Sequence, residues 1–274
     1  MFATMLRRMC VPTCRGDYVA AMTTSDELDD EAHDEFRRAL LDESHGDARI
    51  QFLSTILGVL VNIEDWLAID SWLGGGKAEH PDRGEKPDLA SVMAFRAVTT
   101  VASMSTELAD AAVAMVAKRR YYAVGAVIRQ LIECEYLLVL FDEDLDHARR
   151  WGESTPAEIR SSFSPKQMRT LTGKFSNEEY WGHCDTGGHP APKGARLLEK
   201  LDPMRQSWPV SAAELSIDLG LHLRRIWKAI DSLLVKHHVR YQRVRADQRQ
   251  LAEDAWVTWR ADDPVVEALT ASDG

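Results

Sequence analysis

The chain has 274 residues, 45% apolar and 28% charged, with a formal net charge of −10. That length fits one large domain or two small ones, and that apolar share supports a full-sized core, so wholesale disorder is not expected. Glycine (16) and proline (10) are modest and scarce between residues 88 and 151, which favours long helices over many short strands.

Residues 1–24 lack a continuous apolar core of signal-peptide length and read as a disordered extension, with Met22 as a second candidate start. An acidic helix is expected over 25–44, and residues 26–47 carry ten acids against two arginines. An apolar helix follows over 48–73, stopped by Gly74-Gly75-Gly76. Its longest apolar run, Ile56 to Ile63, is too short to span a bilayer, which needs about 20 residues, so no membrane partner is expected. Glu64, Asp65 and Asp70 end this helix and could face a cavity. After a polar loop, a long helix is expected over 88–118, with small residues Ala97, Ala102, Ala109 and Ala112 that allow close approach. A tight break at Lys118-Arg119-Arg120 leads into a second, Tyr121 to Phe141, apolar almost all round. So short a joint predicts an antiparallel hairpin.

Shorter helices are expected over 143–152, 156–162, 165–172 and 177–182, then a glycine- and histidine-rich loop from Tyr180 to Gly194. A last long helix opens at Ser211. Its stripe runs Leu219, Leu223, Ile226, Ile230, Leu233, His237, Tyr241, Val244, Leu251 and Ala255. Helix starts are marked by Ser or Thr with Glu or Gln three residues on: Thr24/Glu27, Thr155/Glu158, Ser164/Gln167, Ser176/Glu179 and Ser211/Glu214. No sustained period-two alternation appears. The fold class is therefore all-α: a helical bundle built on the long hairpin, with a long C-terminal helix. One domain is expected over 25–260, with a frayed tail over 261–274.

Within the Tyr121–Phe141 helix, Arg129 and Glu133 lie one turn apart and can pair. The Arg-then-Glu order is the weaker one against the helix dipole, and a buried pair is a poor stabiliser. That motivates a reading of Arg129 as an anion clamp, with Glu133 as its orienting partner or a base. The alternative is a structural ion pair that joins helices or ties down the loop. Gly125, one turn earlier, leaves room for something to approach Arg129. The loop offers His183, Cys184, Asp185 and His189. A ring N–H of His189 bonding Glu133 would join loop and helix into one site. The spacing matches no zinc signature, so no metal and no cofactor is expected. Glu-x-x-His pairs of di-metal bundles are absent as well. Cys10, Cys14, Cys134 and Cys184 form no disulfide framework, which fits a reducing cytoplasm, and Cys134 reads as core. His237 is expected to point inward. Arg224, Arg225, Lys228, Arg240 and Arg243 belong to a basic strip over 224–249 that could meet RNA.

The stretch RRYYAVGAVIRQLIECEYLLVL, with its R-x-x-x-E, and the later Tyr…His-Pro loop resemble a family of bacterial all-helical proteins of unassigned function. That family is distantly similar to the HEPN-type domains of toxin–antitoxin and abortive-infection systems. The likeness covers about a quarter of the chain, from Arg119 to Pro190, and carries over to Arg129, Glu133 and His189. It implies a defence-associated helical protein. HEPN ribonucleases carry R-x(4–6)-H on one helix. Here Arg129 is followed at those distances by Cys134, Glu135 and Tyr136, and the one formal match, Arg38 to His45, falls in the acidic segment.

Three functions are compatible with these residues. The first is a cytoplasmic interaction or defence module with a pocket at Arg129, Glu133 and His189 for RNA or another anionic ligand. The second is a HEPN-like nuclease or other phosphate-ester hydrolase, with His183 or His189 as acid and base and Arg129 stabilising phosphate charge. The third is a scaffold that homodimerises through its long helices and has no active site.

Overall fold

A computed structural model describes residues 37–70, 88–198, 208–238 and 240–271, and among them there is no strand. The bundle is built from α1 (Glu43–Asp70), α2 (Leu89–Ala117), α3 (Tyr121–Glu143) and α8 (Trp208–His237). Between α3 and α8 lie four short helices: α4 (Leu145–Glu153), α5 (Pro156–Ser162), α6 (Pro165–Thr172) and α7 (Asn177–His183). The chain ends through α9 (Tyr241–Val244), α10 (Ala246–Asp262) and α11 (Pro264–Thr270). The extension over 1–24, the Gly74-Gly75-Gly76 stop and most of the acidic helix lie outside the described residues. Residues 37–41 are helical.

The α2–α3 hairpin is the most extensively packed pair, as the three-residue joint predicts. Arg119 takes the left-handed conformation there, with φ 56°. Close packing follows from Ala94, Ala97, Ala102, Ala109 and Ala112, all buried on α2. On α3, Val124, Ile128, Leu131, Ile132, Leu138 and Phe141 are fully buried, the signature of a helix covered on several sides. Its main neighbours are α2, α8, α6 and the segment after α7.

α1 is long and apolar enough over Ser44–Ile69 to cross a membrane by length and composition alone, a longer window than Ile56 to Ile63 suggests. Here Phe52, Ile56, Val59, Leu60, Ile63 and Leu67 are spent on the bundle core. Glu64 on this helix accepts hydrogen bonds from Ser103 and Thr106 of α2 rather than facing a cavity.

The C-terminal stripe is not one helix. α8 begins at Trp208, so Ser211 lies within it rather than capping it, and the chain breaks after His237. Asp231 explains the fold-back, because it accepts from Tyr241 Oη at 2.8 Å and from Arg249 Nε at 2.6 Å. In a continuous helix Arg249 would stand about 27 Å from Asp231 at 1.5 Å per residue. The inward histidine is His238, not His237: its ring packs against Trp66 and Phe95. α10 then lies along α1, with Trp259 stacked on Phe52 at 4.2 Å between centroids. Trp259 also packs on Gly220 of α8, where an added Cβ would meet its ring at 2.5 Å. Gly220→Ala is therefore expected to destabilise the fold by about 1–3 kcal/mol despite its better helix propensity, read as a lowered urea midpoint.

Past residue 260 the described chain runs through the end of α10 into α11. Asp263 caps α11 by accepting from the Val265 amide, and Val265 and Val266 are fully buried.

Candidate functional site

The predicted capping boxes divide in an informative way. Thr155 and Glu158 form the complete reciprocal box at α5, whereas Ser164 makes no capping bond. At α7 Ser176 accepts from the Glu179 amide, but the Glu179 carboxylate does not fold back to complete the box. It reaches into the bundle and takes Arg225 Nη2 at 2.7 Å. One turn on, His183 closes α7. The chain then widens into a single π-helical turn, Cys184–Gly188, followed by a 3-10 turn, Pro192–Leu197. The expected loop from Tyr180 to Gly194 is thus helical over much of its length. Such π turns recur at functional sites because they re-aim side chains within a helix.

Six ionisable side chains from three helices converge here: Glu135 of α3, Glu179 and His183 of α7, and Asp218, His222 and Arg225 of α8. His222 Nδ1 meets Glu135 Oε2 at 2.6 Å, and both side chains are 1% exposed. His183 Nδ1 lies 3.5 Å from Asp218 Oδ2. The two remaining ring nitrogens, His183 Nε2 and His222 Nε2, face each other at 3.4 Å. Asp218 Oδ1 is 3.5 Å from His222 Nε2. Arg225 closes the group, with Nη2 on Glu179 and Nε 3.3 Å from Glu135 Oε1. Glu179 is 8% exposed, and its Oε2 has no hydrogen-bond partner. Asp218 and Arg225 are only half-buried, so the centre opens to solvent on the α8 side.

Burial and mutual charge set the protonation of this group. Burial lowers His183, although Asp218 pulls the other way. Burial and Arg225 oppose charge on His222, but Glu135 and Asp218 outweigh them and raise it to about 9. Burial works against the Asp218 carboxylate, yet His183, His222 and Arg225 hold it at about 2. Glu179 is likewise lowered against its burial, by Arg225 and His222. The two imidazoles are thus driven apart, His222 becoming the more basic and His183 the less.

The residues expected to act sort differently. Arg129 pairs with Glu133 at 2.8 Å and donates to Tyr180 Oη at 2.8 Å, a half-buried contact between α3 and α7. Burial raises the Glu133 carboxyl, against the pull of Arg129 and Arg169. His189 does not make the predicted bond to Glu133. It is exposed, and only its backbone N–H is engaged, donating to the Cys184 carbonyl. The tie between α3 and the former loop is made instead by Tyr180 and by the backbone of Gly187 and Gly188, packed on Gly125 and Arg129. Of the four expected site residues, only His183 enters the centre. Cys134 and Cys184 are buried thiols, and burial raises Cys134 to about 11.

The basic strip is mostly consumed within the chain. Arg224 and Lys228 share Glu253, Arg225 belongs to the centre, Lys236 pairs with Asp142 and Arg249 with Asp231. Arg240 is half-buried and engaged, while Arg243 is exposed. A strip neutralised by its own fold offers little free charge to a phosphate backbone.

Sequence reasoning missed Glu135, Glu179, Asp218 and His222. A signal for the last three was present: Glu179-x-x-x-His183 and Asp218-x-x-x-His222 each place an acid and an imidazole one turn apart on a helix. No protein-family profile, curated protein or solved structure matches this chain.

Proposed function

We propose that this protein is a helical ligand-binding protein, of the interaction or defence-associated class that the R-x-x-x-E helix implies, whose ligand is taken up at the α3–α7–α8 centre. The observation that carries this reading is the convergence of Glu135, Glu179, His183, Asp218, His222 and Arg225 in a mostly buried space. Gathering six ionisable groups in a mostly buried space is a poor route to stability, since desolvation offsets most of their attraction and apolar residues would serve better. The unpartnered oxygen of Glu179 leaves the network open to a further partner. Arg129 and Glu133 serve in this reading as the strut that fixes α7, not as the binding groups.

The test is native mass spectrometry of the protein purified from its own host. Wild-type protein is expected to carry a bound mass that His222→Ala loses while remaining folded by circular dichroism. Bare polypeptide in both, or the same mass in both, removes the reading.

A phosphate-ester hydrolase is the second reading. It is favoured by two imidazoles side by side with a half-buried guanidinium, Arg225, on the solvent side of the group. The RNA-binding reading draws less support, because the cations expected to meet RNA are mostly paired within the chain.

A further inference from the structure

Resting on the reading of the centre as a binding site, we propose that its ligand is a divalent transition-metal ion of zinc type, held by His183 Nε2, His222 Nε2 and the Glu179 carboxylate. Four independent features carry this. The first is spacing. Two nitrogens about 2.0–2.1 Å from a tetrahedral metal stand about 3.3–3.4 Å apart, and the two Nε2 atoms are separated by 3.4 Å. The ligand atoms of all three residues lie within 4.8 Å of one another, so only Glu179 has to close in.

The second is orientation. A metal-bound imidazole almost always gives its other ring nitrogen to a carboxylate or carbonyl, which fixes the ring and the tautomer. Here His222 Nδ1 is on Glu135 at 2.6 Å, and His183 Nδ1 is 3.5 Å from Asp218. Both rings are thereby turned so that Nε2 points into the same space. The third is the Glu179 carboxylate, buried with one oxygen fixed by Arg225 and the other without a partner. A metal–oxygen bond supplies that partner.

The fourth is charge. With both imidazoles neutral, as metal ligation requires, Glu135, Glu179 and Asp218 set against Arg225 carry a net charge of minus two, which a divalent cation neutralises in place of the His222 proton. Two imidazoles and a carboxylate suit zinc and its neighbours rather than magnesium or calcium. Three protein ligands leave the fourth position free, on the side where Asp218 and Arg225 meet solvent. That is the pattern of sites whose metal also holds water or a substrate.

The experiment uses the full chain, stripped with EDTA and dialysed. Zinc chloride is titrated by calorimetry, and cobalt(II) chloride is followed by visible absorption. One ion per chain is expected, with the intense visible bands of four-coordinate cobalt. His183→Ala and His222→Ala should each weaken zinc binding by about 100-fold or more. Glu135→Gln, which touches no metal, should cost about 10–100-fold. His189→Ala, outside the centre, should leave affinity unchanged. The cobalt spectrum needs no variant, so poor folding of a mutant leaves the test intact. Absence of saturable one-to-one uptake by the wild type at micromolar metal overturns the inference, as does uptake that survives His183→Ala with His222→Ala. If zinc is not bound but native mass spectrometry finds another ligand that His222→Ala releases, the metal falls and the binding centre stands. If no ligand of any kind is released, both fall.

Discussion

Asp263→Ala is expected to destabilise the protein by about 3–5 kcal/mol, the usual cost of removing one partner from a buried ion pair. Arg49 and Asp263 are 2% and 0% exposed, and their contact is bidentate, at 2.7 Å and 3.2 Å. The third arm of Arg49 donates to the Leu40 carbonyl at 2.7 Å. Removing the carboxylate leaves a guanidinium in the bundle with most of its donors unsatisfied. It also removes the cap of α11, worth a further ~1 kcal/mol. Asp263→Asn keeps the cap and loses only the charge, so it should fall between wild type and Asp263→Ala. Arg49→Met should cost a similar 3–5 kcal/mol alone, but much less in the Asp263→Asn background. The coupling in that double-mutant cycle is the measurement, read from urea midpoints at constant slope. Additive single effects would mean that the two residues do not hold the C-terminus to α1. A loss confined to residues 264–270 in hydrogen exchange, with the midpoint unmoved, would mean that α11 is an appendage rather than part of the cooperative unit.

The tail illustrates what the sequence could and could not disclose. Composition makes 261–274 look like a short acidic end, because Asp263 reads as a solvated charge until Arg49 stands opposite it. Those two residues are 214 positions apart, and no local pattern connects them. The α2–α3 hairpin was legible for the opposite reason: periodicity, small residues and a three-residue joint are all local. Helix starts divided along the same line. Thr155 and Glu158 close on each other, whereas the identical spacing at Ser176 and Glu179 hides a carboxylate drawn away by Arg225.

The centre was concealed in the same manner. His222 sits inside the apolar stripe of α8, and Glu135 inside an apolar helix, where single polar residues among leucines attract little notice. Arg129 and Glu133 were conspicuous because they pair within one helix, and they prove to be a strut. The basic strip looked exposed because its partners, Glu253, Asp142 and Glu179, come from other helices. Long-range pairing thus converted an apparent interaction surface into internal structure, and it converted apparent core into the candidate site.

Among the described glycines, Gly187→Ala should be the most damaging substitution, costing about 3 kcal/mol or more and weakening the centre as well. The π turn crosses α3 at Gly125, and a Cβ on Gly187 would lie 2.6–2.8 Å from the backbone of Gly125 and Ala126. Those atoms belong to a buried helix backbone and cannot rotate away, so the cost falls at or beyond the upper end of ordinary overpacking. Relief requires α3 and the π turn to separate. His183 immediately precedes that turn and Glu135 lies on α3, so separation pulls apart two sides of the centre. The neighbouring glycines supply graded controls. A Cβ on Gly125 would sit 3.3 Å from Gly187 Cα, a squeeze of a few tenths of an ångström. The gain of about 1 kcal/mol in helix propensity over glycine offsets much of it, and Gly125→Ala should be near neutral. At Gly188 the atoms nearest the added methyl all belong to the Arg129 side chain, which can move, so Gly188→Ala should disturb the Arg129–Glu133 strut more than the fold. Urea midpoints and cobalt titrations of the three variants read both consequences together. The expected order of damage is Gly187, then Gly188, then Gly125. If Gly187→Ala binds cobalt like wild type while losing stability, the crossing supports the fold but does not position His183. If it loses neither, the close approach of π turn and α3 is not what holds the centre in place.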